Sequence, residues 1–129
     1  MYISTIIQIF KDVMYLKESD DIDLDKSLFS DYGMSSIDYI DFVYELKKHL
    51  NINVTPETLW PINKWATIGD YYSFESKEWT AEGLSAVNNL LGLTGDKMVD
   101  KNIQFKDLYL YFTPNYINKR VVDIAESNA

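Results

Sequence analysis

The chain has 129 residues, 47% of them hydrophobic and 15% aromatic, with ten Tyr, which is enough for one domain with its own core and too apolar for a disordered chain. It contains no Cys and a single His, which excludes disulfides, thiolate-bound metal and thiol nucleophiles, and leaves almost nothing for a His-based metal cluster or a Ser/His/Asp triad. The net charge of −8 comes from one window: Glu18 to Glu45 holds nine acids against Lys26 alone, while the remaining 11 acids and 11 bases cancel. Such a segment repels nucleic acid and anionic lipid and attracts basic protein surfaces.

In chain order, Ile3, Ile6, Ile7, Phe10, Val13 and Met14 recur at three- and four-residue spacing and predict a helix to about Leu16. The acidic stretch Lys17 to Ser35 is too long for a simple helix–helix connection. It carries Ile22, Leu24, Leu28 and Phe29 to pin it to a core, and Gly33 breaks the chain before the next helix. Ser35 is a good N-cap, and Asp38 stands three residues later, where a carboxylate reaches back to the cap. The helix they open runs to about Asn51. Its expected apolar side is Ile37, Ile40, Val43, Tyr44 and Leu50, widened by Phe42 and Leu46. Lys47, Lys48 and His49 in the last turns suit the helix dipole.

Thr55-Pro56-Glu57 starts a short helix that Pro61 stops. Thr67-Ile68-Gly69-Asp70 repeats the capping pattern and predicts a fourth helix through Tyr71, Tyr72 and Phe74. Beyond residue 76, Thr80-Ala81-Glu82 opens a helix to Leu91, ended by Gly92 and Gly95. Ile103 to Phe112 is open between a strand, from the alternation of Ile103 and Phe105, and a helix, from Phe105, Leu108, Tyr109 and Phe112. Thr113-Pro114 starts a last helix carrying Tyr116, Ile117, Val121, Val122 and Ile124. No repeat, low-complexity tract or polar linker is present. The expected fold class is all-α: a four-helix bundle over 1–76 with a long first loop and a short third helix, and a mostly helical extension over 77–129 packed on it.

The stretch Leu28-Phe29-Ser30-Asp31-Tyr32-Gly33-Met34-Ser35-Ser36-Ile37-Asp38 resembles the prosthetic-group site of the acyl carrier protein family. There a Gly, two residues, the modified Ser, a Leu or Ile and an acid mark the start of the second helix. The family's order of elements, with its long first loop and short third helix, is the order read above. The resemblance covers about residues 3–76. It implies that a separate phosphopantetheinyl transferase moves the 4'-phosphopantetheine arm of coenzyme A onto Ser36 Oγ, with Gly33, Met34 and Ser35 framing the site. The arm's thiol then carries acyl thioesters between enzymes of a fatty-acid, polyketide or lipid pathway.

The physical case for Ser36 stands beside this. A hydroxyl on the first turn of a helix is exposed, and the positive helix end favours a phosphodiester there. With no activating base in the motif, Ser36 needs an external enzyme. Most family members have Asp directly before the modified Ser, where this chain has Ser35. The resemblance also implies a docking face for acyl-loading, elongating or acyl-transferring enzymes with basic patches: Asp31, Asp38 and Asp41, with Ile37 and Tyr44 as apolar contacts. Ile37-Asp38-Tyr39-Ile40-Asp41-Phe42, with Pro56 and Trp60, is similar to the specialised carriers of very long acyl chains for lipid A.

The alternatives are an unmodified protein–protein interaction module on the same bundle and an aminoacyl (peptidyl or D-alanyl) carrier. With one His, one Arg and no basic partner at the motif, an enzyme is the least supported class. No run approaches the roughly 20 apolar residues of a membrane span, and Met1 to Ile9 lacks the basic-then-apolar pattern of a secretory leader. The expectation is a cytoplasmic monomer with no nucleic-acid partner.

Overall fold

The computed structural model describes residues 2–127; Met1 and the last two positions of the expected extension lie outside the described residues. Its elements in order are α1 (Ile3–Val13), α2 (Ser36–Leu50), α3 (Pro56–Leu59), α4 (Ile62–Trp65), β1 (Tyr72–Ser73), β2 (Glu78–Trp79), α5 (Ala81–Leu91), α6 (Phe105–Leu108) and α7 (Pro114–Ser127), with short 3-10 turns at Gly95–Lys97 and Tyr109–Tyr111. The chain divides into two compact units, Met1–Leu59 with Tyr109–Ala129, and Trp60–Leu108.

The first unit is a four-helix arrangement in which α1 packs on α2 and α7, and α3 packs on α2 and α7. Helix α1 buries Ile6, Ile9 and Phe10, which share one helical face. Helix α2 buries Phe42, Val43 and Leu46, and Phe10 meets Phe42 edge to face at 6.3 Å. Helix α7 buries Tyr116, Ile117, Val121 and Ile124. Each such side chain contributes about 1.5–3 kcal/mol by leaving water. Polar ties add register: Tyr2 N–H donates to Asn118 Oδ1 at 2.8 Å, and Arg120 Nε donates to the Thr58 carbonyl at 2.7 Å.

Three details differ from the sequence expectations. Helix α1 stops at Val13 rather than Leu16, because Tyr15 takes a left-handed φ of 56° and Leu16 N–H returns to the Lys11 carbonyl at 2.8 Å, closing the helix as a glycine usually does. On α2, Ile37, Ile40 and Tyr44 are exposed rather than buried. The predicted fourth helix over Tyr71, Tyr72 and Phe74 does not form. Thr67 Oγ1 turns back to the Lys64 carbonyl at 2.6 Å instead of capping forward, and the N–H groups of Tyr71 and Tyr72 both go to the Ile68 carbonyl. The chain then enters a hairpin in which Tyr72 pairs with Trp79 and Ser73 with Glu78. The long helix that completes the bundle is α7.

The second unit is organised by aromatic contacts and one close backbone approach. Tyr72 lies 5.2 Å from Trp79 and 5.5 Å from Phe105, ring centre to ring centre. Ile68 and Tyr71, at the start of the fourth helix expected for the bundle, belong to this unit. Helix α4 was hidden in the sequence behind Pro61, which stands just before its first turn. Helix α5 is capped as expected, with Thr80 Oγ1 accepting from Gly83 N–H at 3.0 Å and Gly92 left-handed at its end. The ambiguous stretch resolves as helical, in α6 and the 3-10 turn after it.

Gly83 lies so close to the hairpin entry that a Cβ there would collide with the Tyr71 carbonyl oxygen and sit 2.7 Å from its carbon. The obstacle is backbone, so no rotamer change relieves it. Gly83→Ala should therefore destabilise this unit by about 3 kcal/mol. Tryptophan fluorescence during urea unfolding checks this; an unchanged midpoint would show that the α5–hairpin contact yields freely.

Candidate functional site

Gly33 has a left-handed φ of +73°, the turn that swings the first loop into α2. Met34 is buried, and its N–H donates to the Leu28 carbonyl at 3.0 Å, anchoring the loop just before the helix. Ser35 and Asp38 form a reciprocal capping box: Ser35 Oγ accepts from Asp38 N–H at 3.1 Å, and Asp38 Oδ2 accepts from Ser35 N–H at 3.0 Å. Ser36 follows as the first helical residue and is exposed. The capping box therefore occupies Ser35 and leaves the next hydroxyl presented at the helix start. The remaining first-turn N–H groups point out of that end, where the dipole favours an anionic ester.

Apart from Gly33 and its two chain neighbours, no atom lies within 4 Å of where a Gly33 Cβ would stand, so the turn that precedes Ser36 borders open space. An exposed hydroxyl at a positive helix end beside open space fits a phosphodiester-linked arm.

The acids of the first loop are structural as well as electrostatic. Asp20 Oδ2 accepts from Lys17 N–H, Asp23 Oδ1 from Asp25 N–H and Asp31 Oδ2 from Ser27 N–H, each within 2.9 Å. A long loop has few backbone partners of its own, and these short carboxylates satisfy its N–H groups.

The C-terminal segment holds the same loop from the other side. Leu28 N–H donates to the Phe112 carbonyl at 3.0 Å, buried Ser27 donates through Oγ to the Tyr109 carbonyl at 2.6 Å, and Asn115 bonds both the Leu24 carbonyl and Asp25 Oδ1. Sequence reasoning missed Ser27, Tyr39, Tyr109, Phe112 and Tyr116 as supports of the site. The tyrosines and Phe112 carried only the signal of high aromatic content, and Ser27 carried none.

Among the described residues, Tyr39 and Tyr116 are the two side chains with clear pKa displacements. Burial pushes the Tyr39 phenol well above its ordinary value of 10.0, with the Glu57 charge adding to it. Burial pushes Tyr116 up further, against the lowering effect of the Arg120 guanidinium. Both donate to backbone carbonyls, Tyr39 to Pro56 and Tyr116 to Leu59, at 2.6 Å. A raised folded pKa means the unfolded chain loses the proton first. The stabilisation is whole below pH 10 and declines as pH rises beyond it, by about 1.4 kcal/mol per pH unit for each tyrosine. Tyr39→Phe should remove one of those contributions, so urea midpoints at pH 9 and 11 should differ less in the variant than in the parent.

On the outer face of α2, Ile37 is 75% and Tyr44 64% exposed. Asp31 and Asp41 are exposed and Asp38 half-buried. Asp41 and Tyr44 also line an open groove of about 290 Å³ beside Ile9, Asp12 and Val13 of α1. His49 pairs with Glu45 at 3.1 Å on the surface of α2. Among the described residues, no helix is long and apolar enough to cross a membrane.

The family model described as the phosphopantetheine attachment site matches residues 4–73, more than half of the chain. No curated protein and no solved structure matches it.

Proposed function

We propose that this chain, which belongs to the phosphopantetheine-attachment family, is a non-catalytic acyl carrier modified on Ser36. Covalent 4'-phosphopantetheine is the cofactor of that family. The observation that carries the assignment to Ser36 is its exposure on the first turn of α2 while Ser35 is consumed by the capping box. A phosphopantetheinyl transferase forms the bond from Ser36 Oγ to the arm's phosphorus as the pyrophosphate P–O bond of coenzyme A breaks, takes up the serine proton and releases adenosine 3',5'-bisphosphate. The arm's thiol supplies the thioester chemistry; the protein's part is to hold Ser36 at an accessible, electropositive helix end with Gly33, Met34 and Ser35 shaping the turn.

Partner enzymes of a fatty-acid, polyketide or lipid pathway dock on α2. Ile37 and Tyr44 provide the apolar contacts, and Asp31, Asp38 and Asp41 select basic surfaces and reject acidic ones. The reading suits a monomer working in the cytoplasm, where its loading enzyme meets coenzyme A.

The test is intact mass after incubation with coenzyme A, magnesium and a broad-specificity transferase, followed by peptide fragmentation. The expected result is one added phosphopantetheine, located on Ser36. A folded chain that gains no mass with several transferases would instead be an interaction module on the same bundle.

A further inference from the structure

Beneath Ser36 the space between α2 and α3 is closed by aromatic rings. Tyr39 stands three residues along α2 from Ser36, on the same side of the helix, and its hydroxyl bonds the carbonyl of Pro56, the first residue of α3. Phe29 from the site loop packs on Tyr39 at 5.6 Å and on Phe112 at 4.8 Å. Phe112 is fully buried, and Tyr116 behind it bonds the carbonyl of Leu59, the last residue of α3. Both ends of α3 are thus fastened by phenols, one from α2 and one from α7, with two Phe rings filling the gap. An alkyl chain entering between α2 and α3 would have to displace rings and break those bonds, leaving the buried Leu59 carbonyl and the half-buried Pro56 carbonyl without these partners.

We propose that this carrier keeps its cargo outside the bundle, and that its cargo is accordingly an acyl group too short or too polar to gain from burial. The inference deepens the Ser36 reading and rests on it for the arm, but the closed interior can be tested separately. It runs against the similarity to carriers of very long chains.

The chain is free of cysteine, so S36C offers one thiol at the attachment position with no transferase required. Alkyl methanethiosulfonates couple methyl, octyl or hexadecyl groups there as disulfides, the thiolate displacing methanesulfinate. The expected result is the same melting temperature for the methyl and octyl forms, and equal rates of release by a soluble thiol. Self-association of the hexadecyl form would also support an exposed chain. An octyl group that raises the melting temperature by several degrees, or is released about tenfold more slowly than methyl because the protein shields it, would overturn the proposal.

A second arm uses the parent protein, loaded on Ser36 with acetyl- or octanoyl-phosphopantetheine. Equal thioester cleavage by hydroxylamine is expected, and protection of the octanoyl form would overturn the proposal. No attachment at all would remove the carrier reading and the cargo assignment with it, while the alkylated S36C protein would still report whether the interior is closed.

Discussion

A chain ending at Leu108 should lose cooperative unfolding of its first unit and accept almost no phosphopantetheine, although it keeps every residue from 4 to 73 that matches the family. The removed segment contains Phe112, Tyr116, Ile117, Val121 and Ile124, all buried. At about 1.5 kcal/mol or more each, these side chains contribute at least about 7 kcal/mol, comparable with the whole stability of a small domain. The loss goes beyond apolar area. The Phe112 and Tyr109 carbonyls that fix Leu28 and Ser27 disappear, so the loop leading to Gly33 and Ser36 loses its far anchor. Circular dichroism during urea unfolding, with intact mass after transferase treatment, reads both effects. Supplying Tyr109–Ser127 as a separate peptide should restore part of each. A shortened chain that unfolds at the parent's midpoint would show that α7 is dispensable to the bundle.

The start of α2 could be read because its signals are local: Ser35, Asp38 and Gly33 act within a few residues of one another, and no distant part of the chain can reverse them. The caps at Thr80 and Thr113 were legible for the same reason. Thr67-Ile68-Gly69-Asp70 carries the same kind of letters and failed, because the outcome there is decided by partners elsewhere. Thr80 N–H takes the Tyr71 carbonyl, its hydroxyl takes the Asp70 carbonyl, and Gly83 admits that strand at close range. A helix through Tyr71 and Tyr72 would have to surrender those bonds.

The exposed side of α2 was misjudged in a similar way. Ile37, Ile40 and Tyr44 fit a helical stripe, but the neighbours α1 and α3 settle which stripe is buried, and they take Phe42, Val43 and Leu46. The last helix and its packing on the bundle were legible, but not that α7 is itself one of the bundle's four helices, since its partners α1 and α3 are separated from it in the chain by the whole of the second unit. The acidic window shows the opposite error of emphasis. Its charge suggested a surface for basic partners, while several of its carboxylates also serve as local caps for a loop that has no helix of its own.

Two adjacent serines should respond to the same substitution in opposite ways. Ser36→Ala should abolish attachment and leave the unfolding midpoint within about 0.5 kcal/mol of the parent, because an exposed first-turn hydroxyl contributes little to the fold and Ala is a good helix former. Ser35→Ala should keep the attachment residue but remove the oxygen that caps Asp38 N–H, at a cost of about 1 kcal/mol. Its attachment rate should fall only modestly, since Asp38 Oδ2 still holds the Ser35 N–H from the other side of the box. Intact mass and denaturant unfolding on the two variants separate presentation from capping. If Ser35→Ala folded like the parent and lost the arm while Ser36→Ala retained it, the attachment point would move by one residue. The capping box would then have to open for every loading event, since Ser35 Oγ cannot cap Asp38 and carry a phosphodiester arm in the geometry seen here.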